Sequence, residues 1–365
     1  MFVSRVAPFS LLPLLVPEST QAPASDVSTS VGPWPSRFVF APGDNNAPVR
    51  VPYEPQEPKQ DPQRIITDAD LYGKMYDSDG NLSIRGPSSN DLQQDQIGDC
   101  YLLAALGAVA DQQPDKIKTA ITYDPATQNF HVTLYQLDSG FLWIDRDVVT
   151  KTIEVTQADL QDNIRRQGGS KLDNGYTDSA WVAVMETAIA KLHDGNWNDG
   201  LDEGYNNLVG TNHGGFSWSD GYINASEVMF VVTGRREERF SGKLFYPYGN
   251  YGDNDNYTRL FADAFYTWID DALKRHAAVT LSTDPESTYS PVGRNGEQDG
   301  LRDDHQYVLR KITKDPDGTI QITLLDPHGN NLNVDDQPGS ASAEITVDLQ
   351  TLIKLNSLEQ IRIEG

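Results

Sequence analysis

Residues 91–103 read DLQQDQIGDCYLL, and Cys100 within them is the single cysteine of the 365-residue chain. From it runs CYLLAALGAVADQ (100–112), apolar on nearly every face and stopping before Pro114, which predicts a short helix buried on all sides. A cysteine in the first turn of such a helix lies where unpaired backbone N–H groups and the helix macrodipole favour the thiolate. One cysteine closes no intramolecular disulfide and builds no cysteine zinc site, so the thiol is either core filler or a reagent. Position alone leaves core filler the commoner outcome, and a partner base has to decide.

Outward from this segment, SAWVAVMETAIAKLHDG (179–195) predicts a second helix, with Trp181, Val184, Met185, Ala188 and Leu192 at helical spacing and Gly195 after its end. NFHVTLYQL (129–137) and GFLWIDRDVV (140–149) read as strands. Beyond about residue 210, YINASEVMFVVTG (222–234), HAAVTLST (276–283), DHQYVLRKIT (304–313), GTIQITLLD (318–326) and LEQIRIE (358–364) read as strands around one helix, YTRLFADAFYTWIDDALKRH (257–276). The expectation is an α+β protein: a helix-rich part over residues 65–210 that carries Cys100, then a β-rich part over 211–365. The first 64 residues hold 12 of the 21 prolines and no sustained apolar period, and read as a disordered leader.

The charge balance, 29 Lys+Arg against 53 Asp+Glu for a net −24, repels nucleic acid and anionic membrane and attracts cations. Nowhere do eighteen apolar residues run together, so no transmembrane segment is expected. VAPFSLLPLLVP (6–17) is a poor secretory signal because prolines interrupt it and one arginine precedes it; an intracellular location is favoured, with export left open. Oligomeric state is not legible.

Of the six histidines, His131, His193 and His276 have ordinary structural explanations in a strand, at a helix C-terminus and before a strand. His305 differs. It opens DHQYVLRKIT, which turns at KDPDG and returns as TIQITLLDPHG, so a hairpin centred near Pro316 sets His305 almost opposite Asp326. An imidazole beside a carboxylate is a base prepared for a cysteine or serine nucleophile, although a surface ion pair has the same spacing. His328, two residues past Asp326, is the rival base.

QDQIGDCYLLAAL resembles the active-site segment of calpain-type cysteine proteases, roughly Q-G-x-L-G-D-C-W-L-L-A-A, with Tyr101 in place of the usual tryptophan. SAWVAVMETAIAKLHDG is similar to the family's W-S-A-L-L-E-K-A-Y-A-K-L-N-G helix, GYNNLVGTNHGG (204–215) to the glycine-rich sequence after it, DHQYVLRKI to G-H-A-Y-S-V, and LLDPHG to L-R-N-P-W-G. The resemblance covers residues 65–365 and implies a papain-like core of two subdomains with the cleft between them. It implies a cysteine endopeptidase acting on proteins or peptides, with Cys100 as nucleophile, His305 as base, Gln94 at the oxyanion hole and Asp326 where the family has asparagine. His328 stands where the family has tryptophan. Aspartate still accepts from an imidazole N–H, and its charge is expected to raise the histidine pKa.

The chemistry needs no cofactor, but calcium is implied as a regulator. Ile84, Gly86 and Asp91 match a family calcium site by spacing; its acidic ligand falls on Ser179, with Asp178 adjacent. YDSDGN (76–81) and DPDG (315–318) are calcium-like in composition and read more simply as turns. Two other functions fit the same residues: a transglutaminase-type acyltransferase and an inactive calpain-like binding module. Retention of Gln94, Cys100 and His305 together argues against the second.

Overall fold

The computed structural model describes residues 37–39, 49–51, 64–76, 82–95, 97–137, 147–172, 179–193, 225–241, 255–283, 301–302, 305–331, 342–355 and 357–365. The chain divides into two units, Met1–Tyr53 and Glu54–Gly365. In the first, β1 (Arg37–Val39) pairs antiparallel with β2 (Val49–Val51). The rest of the proline-rich leader lies outside the described residues, except Arg64.

The second unit opens with a short hairpin of β3 (Lys74–Tyr76) and β4 (Leu82–Ile84). It continues into α1 (Cys100–Gln112), which occupies the bounds its apolar run predicts, and α2 (Pro114–Ala120), begun by a proline whose missing N–H costs nothing at that position. A three-stranded antiparallel sheet follows, made of β5 (Ile121–Asp124), β6 (Asn129–Leu137) and β7 (Val148–Val155). The expected strand over 140–149 lies largely outside the described residues; only its last residues enter β7. Next come α3 (Gln157–Arg165), α4 (Ala180–Leu192) and α5 (Ala225–Thr233).

Helix α5 corrects the strand expected over 222–234. Ala225, Val228, Met229 and Val232 recur at helical spacing and are all buried, Val231 and Thr233 are buried on the flanks of that face, and only Glu227 and Phe230 opposite it are half-buried. A run buried on nearly every side shows almost no polar face, so its period is hidden and its valines suggest a strand. Gly234, at φ +76° with its N–H on the Phe230 carbonyl at 2.7 Å, ends the helix in the left-handed conformation that suits glycine.

The remaining elements are β8 (Glu237–Ser241), α6 (Asp255–Lys274), β9 (Val279–Thr283), β10 (Gln306–Lys314), β11 (Ile320–Leu325), β12 (Glu344–Asp348), α7 (Leu349–Leu355) and β13 (Leu358–Glu364). Among the described residues their strands form one antiparallel sheet in the order β12-β11-β10-β9-β13-β8. Both of its faces are covered. Val308 and Leu325 join the core built by α1, α4 and α5, whereas their neighbours Tyr307, Leu309 and Leu324 join a second core with α6 and α7. The period-two alternation of a strand thus divides β10 between two cores. Helix α1 reaches the sheet at Gly107: a Cβ there would lie 2.7 Å from Leu92 Cδ1 and 2.8 Å from Val308 Cγ2. Glycine is required by that approach, and Gly107→Ala would push α1 off the sheet at a cost of about 1–3 kcal/mol.

Candidate active site

Asp315 and Thr319 close the β10–β11 turn, with Gly318 at φ +93° and its N–H on the Asp315 carbonyl at 2.9 Å. From Lys314↔Ile320 the register runs to Val308↔Leu325, with an irregularity between Leu309 and Lys311. His305 and Asp326 lie just past that last pair, diagonal to each other, and His305 Nε2 is 2.9 Å from Asp326 Oδ1. The Thr283 hydroxyl accepts from the His305 backbone N–H at 3.0 Å, and the Tyr307 ring meets the imidazole edge-on at 4.9 Å. These contacts fix the ring.

Asp326 has further donors. Arg302 Nε donates to Oδ2 at 2.7 Å, the His328 backbone N–H donates to Oδ1 at 2.9 Å, and His328 Nδ1 is also 2.9 Å from Oδ1. The two imidazoles therefore share one oxygen, their ring centroids 4.8 Å apart. Burial separates the two candidate bases: the side chain of His305 is 6% exposed and that of His328 29%.

Burial pushes the Asp326 carboxyl up, but the His305 and His328 imidazoles outweigh it and hold the group far below the usual carboxylate range. His305 is pushed down to about 4, first by burial. Asp326 does raise it, as its charge requires, while His328 and Arg302 lower it further. The net direction is thus opposite to the rise expected from the aspartate alone, because a fully buried imidazolium loses more hydration than one shared carboxylate returns. At neutral pH the corner holds a neutral imidazole against an ionised aspartate.

The segment before Cys100 is stitched to this corner. Gln94 N–H donates to the Pro327 carbonyl at 2.8 Å, one residue past Asp326. Arg310, on β10, reaches Ser89 Oγ, Asn90 Oδ1 and Asp111 Oδ2. Gln94 is buried; its Nε2 donates to the Ile97 carbonyl at 2.9 Å and keeps a second N–H. Cys100 begins α1 and is 3% exposed. The turn leaving Asp326 and the loop entering Cys100 are thereby held together, and α1 packs on β10 beneath them.

A family model for calpain family cysteine proteases matches residues 73–333. The chain belongs to the calpain family. No curated protein matches it. Of the residues singled out in the sequence, Gln94, Cys100, His305 and Asp326 all lie within the matched span, as does His328.

In this calpain-family chain the aspartate named for calcium is already engaged by other donors. Asp91 is buried, with Oδ1 engaged by the Arg85 guanidinium and Oδ2 accepting from Trp181 Nε1 at 2.8 Å and Ser88 N–H at 3.0 Å. Gly86, at φ +86°, has the Lys118 ammonium 3.3 Å from where a Cβ would stand. A calcium cage needs six to eight oxygens, and here two cations already occupy the neighbourhood. Asp178 lies outside the described residues.

Two carboxylates went unread in the sequence. Asp99, immediately before Cys100, and Glu186, in the middle of α4, are fully buried. Glu186 Oε2 accepts from Gly169 N–H at 2.7 Å, and the Asn163 side chain also donates to this carboxylate, whereas Asp99 is supported by its own backbone N–H. Each is the other's hydrogen-bond partner, which requires a proton between them. Burial, then the neighbouring Glu186 charge, raises Asp99 well above its ordinary value; burial lifts Glu186 to about 7. The available signal was a glutamate inside an otherwise apolar helical run. Arg302 carried no such signal, lying in irregular sequence before β10.

Proposed function

We propose that the chain is a cysteine endopeptidase with Cys100 as nucleophile, His305 as general base and Asp326 as the residue orienting it. The observation that carries the reading is the buried His305 Nε2–Asp326 Oδ1 contact of 2.9 Å. With Nε2 committed to the carboxylate, Nδ1 is the nitrogen that takes the thiol proton and later gives it to the leaving amine. Cys100 Sγ attacks the peptide carbonyl; the second N–H of Gln94 Nε2 and the Cys100 backbone N–H receive the oxyanion; water then releases the acyl-enzyme. Protein or peptide substrates follow from that chemistry, and no cofactor enters it.

The two hydrophobic cores support a papain-like division, with Cys100 on the helix-rich side and His305 and Asp326 on the sheet. Because α5 packs in the first core, the boundary belongs nearer Thr233 than residue 210. Arg85 takes the place of the upstream cation, so calcium is not required on this reading.

The test is cleavage of an unfolded protein substrate by the full chain. Cys100→Ser and His305→Ala should each lower turnover by about a thousandfold or more, and His328→Ala far less. Activity that survives His305→Ala and disappears in His328→Ala would exchange the bases. Product that forms only when an amine acceptor is supplied would make the chain an acyltransferase, and no turnover of any substrate would make it a binding module.

A further inference from the structure

His305 Nε2, His328 Nδ1 and a carboxylate oxygen of Asp326 all lie within 4.8 Å of one another. Two imidazoles and one carboxylate are the donor set that zinc and its borderline-soft neighbours select over calcium or magnesium. Each imidazole nitrogen is 2.9 Å from Oδ1. A tetrahedral zinc ion with bonds of about 2.0–2.2 Å holds its donors roughly 3.4 Å apart, so each nitrogen has to move about half an ångström away from the carboxylate oxygen, and the two nitrogens, within 4.8 Å of each other, have to close by at most about 1.4 Å. Arg302, donating to Oδ2 at 2.7 Å, already fixes the carboxylate from behind, as outer-shell partners of metal sites do. His328, 29% exposed, gives the ion a way in, and the net charge of −24 concentrates cations around the chain.

We propose that His305, Asp326 and His328 form a site for a divalent transition metal, zinc in the first instance, with water as the fourth ligand. Each neutral imidazole binds by moving its proton to its other ring nitrogen, so no oxidant or further reactant is needed. On His305 this puts a proton on Nδ1 and the metal on Nε2. Resting on the protease reading above, the consequence is reversible inhibition, because the nitrogen that must accept the thiol proton is filled and the ring is detached from Asp326. The site depends on His328, whose position in this chain is what adds a second imidazole to the His305–Asp326 pair.

Zinc chloride titrated into the full-length Cys100→Ser protein, by calorimetry, tests binding without the thiol. One equivalent should bind, and His328→Trp and His328→Gln should each weaken it by about tenfold or more, with melting temperature confirming that both variants are folded. In the active enzyme the zinc concentration for half inhibition should rise by the same factor in His328→Gln. No binding at about 100 μM zinc, or equal affinity in both His328 variants, would overturn the site. Binding that persists in a protein with no protease activity would leave the site standing and remove the protease reading instead.

Discussion

Asp326 and the Asp99–Glu186 pair are equally withdrawn from water, yet the first is fully ionised and the second keeps a proton. Asp326 is ringed by Arg302, His305 and His328 and stays ionised. Among the described residues no cation pairs with Asp99 or Glu186, and the two keep a proton between them. Burial penalises every carboxylate alike, and the donors around it decide whether it pairs or protonates. On the protease reading proposed above, the proton on the acid pair removes one of two negative charges beside Cys100, and the full charge of Asp326 orients the imidazole of His305.

The largest break in this contrast is Asp326→Ala. It should lower turnover by about a thousandfold and destabilise the fold by about 3–5 kcal/mol, since Arg302 loses its buried partner. Asp326→Asn should keep much of the activity, because an amide oxygen still accepts from His305. Wild-type turnover in Asp326→Ala would reduce the aspartate to a strand-end residue.

The pH dependence of stability sharpens it further. His305, at about 4 in the folded chain against about 6.5 unfolded, leaves the unfolded state binding more protons between those values, so its contribution is lost as pH falls through that window. Glu186, at about 7 against about 4.5, leaves the folded state binding more protons, so stability is lost as pH rises through its window. The two oppose each other between about pH 4.5 and 6.5. The Asp99→Asn/Glu186→Gln double variant, which removes both raised carboxyls, should expose a stability that climbs with pH, and His305→Gln one that declines, each by roughly 2–3 kcal/mol across its window in unfolding titrations. Parallel profiles in the two variants would mean that neither charge state is as assigned.

Arg85→Ala is a smaller break. It leaves the buried Asp91 carboxylate with only its Trp181 and Ser88 donors and no cation, and should cost about 2 kcal/mol, read as a lowered melting temperature. Smallest is calcium itself: millimolar calcium should leave wild-type melting temperature and activity unchanged, whereas a raised melting temperature would restore the cation site at Asp91.

The contrast also marks what the sequence could disclose. Helix α1, β6 and β13 occupy the bounds their patterns predict, because each combines a continuous or alternating apolar run with a clear stop. The closeness of His305 and Asp326 was legible because a hairpin is a local structure, although the turn centres on Asp317 rather than Pro316 and the register leaves the two residues diagonal rather than opposite. What local pattern cannot carry was missed: α5, whose period is hidden by burial on nearly every side, and Glu186 against Asp99, brought together across 87 residues of chain. Arg85 belongs to the same class. Its neighbours Ile84 and Gly86 match a calcium spacing, and only the fold turns the intervening guanidinium onto Asp91.

The most direct test of the central claim, that the His305–Asp326 pair activates Cys100, is the rate at which a thiol-reactive epoxide labels Cys100 near pH 6 with calcium chelated, followed by mass mapping. The account predicts labelling at least about tenfold faster than that of a free cysteine, falling to the free-thiol rate or below in His305→Ala. A rate no faster than free cysteine, or one that His305→Ala leaves unchanged, would contradict it.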